Sequence, residues 1–200
     1  MMSGVRTASC AAAVLMLLFT ACAPSNTRPT PDAAASWAQH QRDTQAIRSW
    51  QVNGRFASSA FGGSGSLRWL QTDGWFDIQV RGPLGIGALV ARGTQTDAEI
   101  ISGGQSWRTA QPEQLFYQQT GWRLPLSRLR WWARGIPAPG VPAETILDGN
   151  SRLAQLNQDG WLIRYEEYAK FGGKILPVKF NMSSADQSVQ VLIDQWANVR

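Results

Sequence analysis

The chain of 200 residues has the length of one domain, and 44% of its residues are hydrophobic, which is enough for a stable core. Its formal net charge is +5, but the basic residues form no long run, so the composition argues against a nucleic-acid-binding protein. Only 16% of the residues are charged, against about a quarter in an average domain. Ten residues are tryptophan, so the composition favours a protein that handles something apolar.

The N-terminus has the pattern of a bacterial lipoprotein signal. Arg6 precedes an apolar run over residues 11–19, which is too short to span a bilayer and has the length of a signal-peptide core. Small residues then lead to Cys22. Residues 1–21 therefore resemble a cleaved lipoprotein signal, and the resemblance implies that Cys22 carries acyl chains, although Phe19 departs from the aliphatic residue usual at its position. The alternative is an ordinary secretory signal followed by a buried cysteine.

The segment after the signal predicts how the protein is anchored. If Cys10 leaves with the signal and Cys22 is lipidated, no thiol remains and the domain folds without a disulfide. Residues 22–36 contain prolines and alanines without periodicity, so they are predicted to form a flexible tether. Ala23 stands where an acidic residue would, in the lipoprotein resemblance, signal retention in the inner membrane. We therefore expect a lipid anchor in the outer membrane, on its periplasmic face.

The folded domain, residues 37–200, is predicted to begin with a helix that Ser36 caps and to continue as strands. Apolar and polar residues alternate over short segments, with the hairpin signal Asp73-Gly74 between two of them. The Gly/Ser-rich residues 58–66 are predicted to form another turn. The alternating segments are 50–56, 67–69, 76–80, 88–91 and 98–101. Short alternating strands with regular turns predict an antiparallel sheet that curls into a barrel or half-barrel.

The middle of the chain predicts two helices. Residues 113–120 follow Pro112, which suits a first helical turn, and Gly121 ends this helix. Residues 127–134 form the second predicted helix, with Gly135 as its C-terminal stop. The apolar face of the second helix consists of Leu126, Leu129 and Trp132. Five more alternating segments follow, at 144–147, 151–156, 161–168, 175–183 and 189–198. This order of elements predicts one domain of the α+β class.

The connection 82–87, between two predicted strands, carries unusual side chains. Such a connection is normally polar because its backbone faces water. Here Leu84 and Ile86 stand among glycines, with Pro83 before and Gly85 after Leu84. Leu84 either folds back into the core, as most loop leucines do, or stands out as an apolar tip that enters a membrane or a partner.

The sequence offers no recognisable catalytic set. His40 is the single histidine, so a serine hydrolase would have to use it as the base, and its replacement would test that hypothesis. Glu166 and Glu167 are adjacent in a predicted strand and face opposite sides of the sheet. No residues have metal-ligand spacing, and the glycines near Ile86 lack the third glycine of a dinucleotide fingerprint. The sequence predicts a binding protein rather than an enzyme, with no metal or cofactor.

Several segments, taken in order, resemble the LolB family, the outer-membrane lipoprotein receptors of Gram-negative bacteria. They are WAQHQ (37–41), WQVNGR (50–55), GPLG (82–85), LPLS (124–127), WWARG (131–135) and DGW (159–161), then Tyr165, Leu176-Pro177 and Trp196. The resemblance covers nearly the whole chain and implies an unclosed, strongly curved antiparallel β-barrel whose helices cover an apolar cavity. It also implies that the cavity accepts lipoprotein acyl chains from the periplasmic carrier LolA. By position, Leu84 corresponds to the loop leucine with which the family places cargo into the membrane.

Strand alternation and helical spacing nominate the residues that would line such a cavity, although a solid core would need the same apolar side chains. The expected lining residues are Phe56, Leu67, Trp69, Phe76, Ile78, Val80, Leu115, Leu126, Leu129, Trp132, Val178, Phe180 and Met182. Arg68, Arg128 and Arg134 are expected at the solvated surface rather than at contacts with an acidic carrier. We expect a monomer whose partners are LolA, acylated cargo and outer-membrane lipid. The alternative function is a structural or assembly lipoprotein that docks proteins on its sheet without lipid uptake.

Overall fold

The computed structural model describes residues 31–59, 63–82, 88–121, 123–185 and 187–200. The signal segment 1–21 lies outside the described residues, and so do five positions with a predicted role, namely Cys22, Pro83, Leu84, Gly85 and Ile86.

The described residues form three helices and eleven strands. The helices are α1 (Pro31–Gln45), α2 (Pro112–Thr120) and α3 (Leu126–Trp132). The strands before α2 are β1 (Ser49–Ser58), β2 (Gly63–Thr72), β3 (Trp75–Arg81), β4 (Leu89–Gly93), β5 (Ala98–Ser102) and β6 (Gln105–Thr109). The strands after α3 are β7 (Ala143–Leu147), β8 (Leu153–Gln158), β9 (Trp161–Phe171), β10 (Lys174–Ser184) and β11 (Gln187–Ala197). Within the described ranges, no helix has the length and apolar character needed to cross a membrane.

All eleven strands belong to one antiparallel sheet with the order β6-β5-β4-β3-β2-β1-β11-β10-β9-β8-β7. Each half is a run of sequential strands, and the halves join where β1 pairs with β11, from Gln51 opposite Ala197 to Ser58 opposite Val189. β6 and β7 stand at the two ends of the order and form no ladder with each other in the described part of the chain. The curled sheet is therefore unclosed, which confirms the predicted α+β half-barrel.

The inward side chains of the strands form the core. On β1 the buried residues Trp50, Val52 and Phe56 alternate with more exposed polar ones, as predicted. The ring centroid of Trp50 lies 4.6 Å from that of Trp69 on β2 and 5.1 Å from that of Trp196 on β11, both edge-to-face. These tryptophans therefore stabilise the junction between the two halves of the sheet.

The Gly/Ser-rich stretch is only partly a turn, so the prediction for residues 58–66 is wrong over its second half. β2 begins at Gly63 and pairs with β1, with Gly65 opposite Phe56. A Cβ atom on Gly65 would clash first with the backbone carbonyl oxygen of Arg81 on β3, and it would lie 2.9 Å from a ring carbon of Phe56 on β1. Gly65 thus lies within a strand, and a glycine is needed there because the backbone of β3 and an aromatic ring of β1 come unusually close.

Three further elements differ from the prediction. The described part of α1 already includes Pro31, so Ser36 lies inside the helix and does not cap it, and Asp32 in the first turn lies at the positive end of the helix dipole. β6 is not predicted by alternation because its sequence is polar apart from Trp107. α3 ends at Trp132, before the glycine stop. The end of α2 agrees with the prediction, with the capping glycine at φ 72°.

Candidate functional site

A cavity of about 90 Å³ lies between the inner face of the sheet and the helices α2 and α3. Strands β1 to β4, β10 and β11 form its wall, and every lining residue is apolar. The one nitrogen on a lining side chain, Nε1 of Trp69, donates to Oε1 of Gln71 at 3.2 Å. The lining residues are Val52, Phe56, Leu67, Trp69, Ile78, Val80, Leu89, Ala91, Phe116, Leu124, Leu126, Leu129, Ala133, Phe180, Met182, Val189, Val191 and Ile193.

The structure brings nine of the thirteen predicted lining residues to this cavity. They come from both halves of the sheet and from α3, in agreement with strand alternation and helical spacing. The nine are Phe56, Leu67, Trp69, Ile78, Val80, Leu126, Leu129, Phe180 and Met182.

Four predicted lining residues lie elsewhere. Phe76 is buried near the start of α2, where it borders a separate, shallower pocket. Leu115 is half-buried and packs against the core beside the cavity. Trp132 is fully buried, and its Nε1 donates to Oε1 of Gln158 at 2.8 Å, which turns the indole towards β8. Val178 lies at a bulge where the register between β10 and β9 shifts, so strand alternation does not predict its surroundings.

Nine lining residues are absent from the predicted set. Val189, Val191 and Ile193 alternate on β11 as Phe180 and Met182 do on β10, so the same pattern contains the signal that would have found them. Among the remaining residues, Val52 alternates with Phe56 on β1 and Leu89 alternates with Ala91 on β4, so strand alternation contains their signal as well. The positions of Phe116, Leu124 and Ala133 depend on how the helices pack over the sheet, which periodicity does not encode. The six remaining residues are Val52, Leu89, Ala91, Phe116, Leu124 and Ala133.

Buried hydrogen bonds hold the C-terminal end of α3. Gln158 accepts from Nε1 of Trp132 at 2.8 Å and from the Ala138 N–H at 2.9 Å. Its own amide donates to the Ala138 carbonyl at 2.8 Å and to the Val141 carbonyl at 3.0 Å. The hydroxyl of Tyr165 donates to the Trp132 carbonyl at 2.8 Å. Burial raises the pKa of Tyr165 well above its usual value, so this hydroxyl keeps its proton.

More exposed contacts hold the N-terminal end of α3. The Ser127 N–H donates to Oε1 of Glu113 on α2 at 2.9 Å. Arg128 forms an ion pair with Asp159 in the β8–β9 turn, and both side chains are partly exposed. Pairs that keep contact with water stabilise less than buried, fully bonded groups. The helical cover of the cavity is therefore fixed at one end and weakly held at the other.

The three arginines expected at the surface have different environments. Arg68 is exposed and Arg128 pairs with a carboxylate, but Arg134 is only 4% exposed, so the surface prediction is wrong for this residue. Its Nη1 donates to the Thr44 carbonyl at 2.9 Å and to the Ile47 carbonyl at 2.6 Å. These carbonyls at the end of α1 explain its position, and burial lowers the pKa of Arg134 to about 10.

His40 lies on α1, away from the cavity. Its ring is half-buried and stacks on Trp37, with 5.7 Å between the centroids. Burial first, and the charge of Arg152 second, lower the pKa of His40. In the described ranges, no group of three or more His, Cys, Asp or Glu side chains could hold a metal ion.

Comparisons with known protein sequences give one family. The model of the family described as "Outer membrane lipoprotein LolB" matches residues 48–196. The outer-membrane lipoprotein LolB of Pseudomonas fluorescens is 40% identical over 166 residues, which cover 81% of this chain and 80% of that protein. The corresponding protein of Pseudomonas syringae pv. syringae is 38% identical over 189 residues, which cover 91% of this chain and 92% of that protein.

Solved structures share the fold at low sequence identity. A LolA superfamily protein from Nitrosomonas europaea has a TM-score of 0.53 at 12% identity, covering 84% of this chain and 93% of that chain. A DUF1329 family protein from Desulfovibrio piger has a TM-score of 0.53 at 7% identity, covering 86% and 93%. At these identities the likeness concerns the fold alone. The family match and the sequence identity over most of the chain show that this protein belongs to the LolB family of outer membrane lipoproteins.

Proposed function

We propose that this protein is a receptor of the outer membrane, which accepts acylated lipoproteins from the periplasmic carrier LolA and inserts them into that membrane. The observation that carries the proposal is the cavity, because all of its lining residues are apolar. Transfer of an acyl chain from water into a cavity with apolar walls is favourable, because its apolar surface leaves the water. Membership of the LolB family supports the same function.

The energetics of acyl chains favour direct transfer between two such cavities. Exposing an acyl chain of about fifteen methylenes to water would cost roughly 12 kcal/mol of free energy, at about 0.8 kcal/mol for each methylene. Release into solution is therefore slow, and the chain passes from the donor cavity to the acceptor cavity. The difference in free energy between the two cavities then drives the transfer, without nucleotide hydrolysis.

Two neighbouring residues of β4 provide the test. Ala91 is 1% exposed and lines the cavity, whereas Val90 is half-buried and lies outside the cavity wall. Ala91→Phe places a ring in the cavity and should lower lipoprotein transfer from LolA by at least about tenfold. Val90→Phe is the matched control and should transfer within about twofold of the original protein. Equal transfer by the two variants, both shown to be folded by circular dichroism, would overturn the proposal.

We also propose that Leu84, with Pro83, Gly85 and Ile86, delivers cargo into the bilayer. The connection that carries these residues follows Val80 and precedes Leu89, which lie opposite each other and both line the cavity. One leucine contributes about 1.5–3 kcal/mol on burial. That contribution is too small to anchor a protein, but it biases a tethered domain towards the membrane surface.

Replacement of Leu84 separates delivery from acceptance. Leu84→Glu should leave transfer from LolA unchanged and lower incorporation of the lipoprotein into liposomes, because a carboxylate resists burial in lipid. Leu84→Met keeps an apolar side chain and should deliver normally. Undiminished delivery by the glutamate variant would show that this loop does not act in the membrane.

The anchor and the alternative function complete the proposal. We propose that the mature chain is a monomer that begins at Cys22 and carries its lipid there, which mass spectrometry of the mature protein would detect.

A structural or assembly lipoprotein that docks proteins on its sheet is less well supported, since such a protein needs no apolar cavity. It would take up no acyl chain.

A further inference from the structure

A second cleft, of about 370 Å³, shares no lining residue with the apolar cavity. The end of α1, the turn between β2 and β3, and the last turn of α3 form it. Three of its lining residues are basic, namely Arg48, Arg130 and Arg134, and Asp73 is the one acidic residue among them. We call it the arginine cleft.

Arg134 brings a fixed positive charge to this cleft. Its Nε donates to the Arg130 carbonyl at 2.9 Å, and its Nη1 donates to the two carbonyls at the end of α1. Within the described ranges, Nη2 has no hydrogen-bond partner and the side chain has no ion pair. The guanidinium is thus oriented by carbonyl groups, but no carboxylate balances its charge. A buried charge without a counter-charge is costly.

Arg130 adds a second positive charge beside the first. Its Nη1 donates to the Asp73 carbonyl at 3.3 Å, while its Nε is buried and lacks a hydrogen-bond partner in the described part of the chain. The Cζ atom of Arg130 lies 5.0 Å, and that of Arg134 4.8 Å, from the ring centroid of Trp131. Two guanidiniums therefore meet at one indole, and a buried N–H still needs an acceptor.

Arg48 adds an exposed charge to the cleft. It pairs with Asp73 at 3.2 Å, but the two side chains are 79% and 60% exposed, so the pair is weak. Three arginines against one aspartate leave the cleft with a net charge of +2.

We propose that the arginine cleft binds a phosphate group, with Arg130 and Arg134 as inner donors and Arg48 as an exposed one. Arg130 can donate the paired N–H groups of Nε and Nη2, whereas Arg134, whose Nε and Nη1 already donate to backbone carbonyls, can donate from Nη2. The negative charge of a phosphate matches the excess positive charge of the cleft. Free phosphate and the phosphate of a lipid headgroup both supply this chemistry. The proposal goes beyond the receptor function and does not depend on it.

Isothermal titration calorimetry of the full-length protein in a neutral detergent tests the proposal, at constant ionic strength and with sodium chloride as the blank. The probes are inorganic phosphate and a short-chain phosphatidylglycerol. Saturable binding of inorganic phosphate is expected if a free anion suffices. Because the acyl chains of the phosphatidylglycerol could also enter the apolar cavity, binding of this lipid alone identifies a headgroup site only if Arg130→Gln weakens it, and binding that Arg130→Gln leaves unchanged overturns the proposal. If neither probe binds saturably, the proposal is overturned.

Substitutions then locate the binding. Arg130→Gln should weaken binding by at least about tenfold, because it removes a charge-assisted hydrogen bond. Arg68→Gln makes the same charge change at an exposed arginine that has no ion pair among the described residues, and it should change the affinity by less than about twofold. Equal affinities of these two variants would overturn the proposal. If Arg130→Gln fails to fold, Arg48→Gln replaces it, with an expected loss of about threefold.

Discussion

At the scale of single residues, Gln158 shows how one buried polar side chain fixes the cover of the cavity. It is 2% exposed, and its amide makes four hydrogen bonds that join β8 to Trp132 and to the chain after α3. Because all its donors and acceptors are used, its burial costs little.

Loss of these bonds should be strongly destabilising. Gln158→Leu leaves several buried polar groups without partners, so we expect the free energy of unfolding to fall by about 3–5 kcal/mol in urea titrations. Gln155→Leu, on the same strand at a half-buried position, is the control and should cost less than about 1 kcal/mol. Similar losses for both variants would show that the network around Gln158 stabilises little.

His40 gives the protein a pH-dependent stability. Its pKa is lowered, mainly by burial, so the unfolded chain takes up this proton at a higher pH than the folded protein does. The contribution of His40 is therefore fully present above the ordinary histidine pKa and is lost as the pH falls from that value through the lower pKa of the folded protein. Urea titrations between about pH 7.5 and about pH 5.5 should show a smaller decline for His40→Gln than for the original protein. An unchanged decline would assign the effect to other groups.

At the scale of elements, the close packing of β2 against the backbone of β3 and against Phe56 of β1 depends on one glycine. A side chain at Gly65 would contact the ring of Phe56 and the backbone of Arg81. Gly65→Ala should therefore lower the free energy of unfolding by about 1–3 kcal/mol. Gly74→Ala, where an added Cβ would meet nothing within 4 Å, should change it by less than about 0.5 kcal/mol. Thermal or urea unfolding of the two variants distinguishes a close backbone approach from simple turn flexibility.

The helices must move when the cavity is filled. The cavity volume of about 90 Å³ is smaller than the roughly 150 Å³ of a cavity that holds a benzene molecule. The cavity must therefore become larger before it can hold a long acyl chain. Since α3 is fixed by buried bonds at its C-terminal end and by exposed ones at its N-terminal end, the cover should open at α2 and at residues 123–128.

Hydrogen exchange can locate this opening. With a bound fatty acid, amides of α2 and of residues 123–128 should exchange at least severalfold faster, while those of residues 132–138 remain protected. Faster exchange confined to residues 132–138, or no change in either segment, would contradict a cover that opens at its N-terminal end.

At the scale of the whole molecule, alternation reveals most of the sheet because each strand needs one apolar face for the interior. It misses β6, whose polar sequence suffices for a strand at the sheet edge. Alternation also cannot predict that β1 pairs with β11, because the two strands are far apart in the sequence and neither strand's pattern specifies which strand lies beside it. The family resemblance, rather than the pattern, predicts that the barrel stays open.

The candidate site is predictable to a similar degree and for similar reasons. Alternation places Phe180 and Met182 correctly because β10 is regular there, but it fails at Val178, where a bulge changes the register. Helical spacing gives Leu129 and also Trp132, although the indole N–H of Trp132 turns towards Gln158. Arg134 carries no signal of burial, because its partners are backbone carbonyls that belong to a distant helix end.

Displacement of a bound fluorescent fatty acid tests most directly whether the apolar interior holds an acyl chain. We expect one fatty-acid molecule to bind per protein, and a triacylated lipoprotein to displace it. The same lipoprotein without its acyl chains should leave the fatty acid bound. Absence of saturable fatty-acid binding, or equal displacement by the acylated and the non-acylated lipoprotein, would contradict a cavity that receives acyl chains.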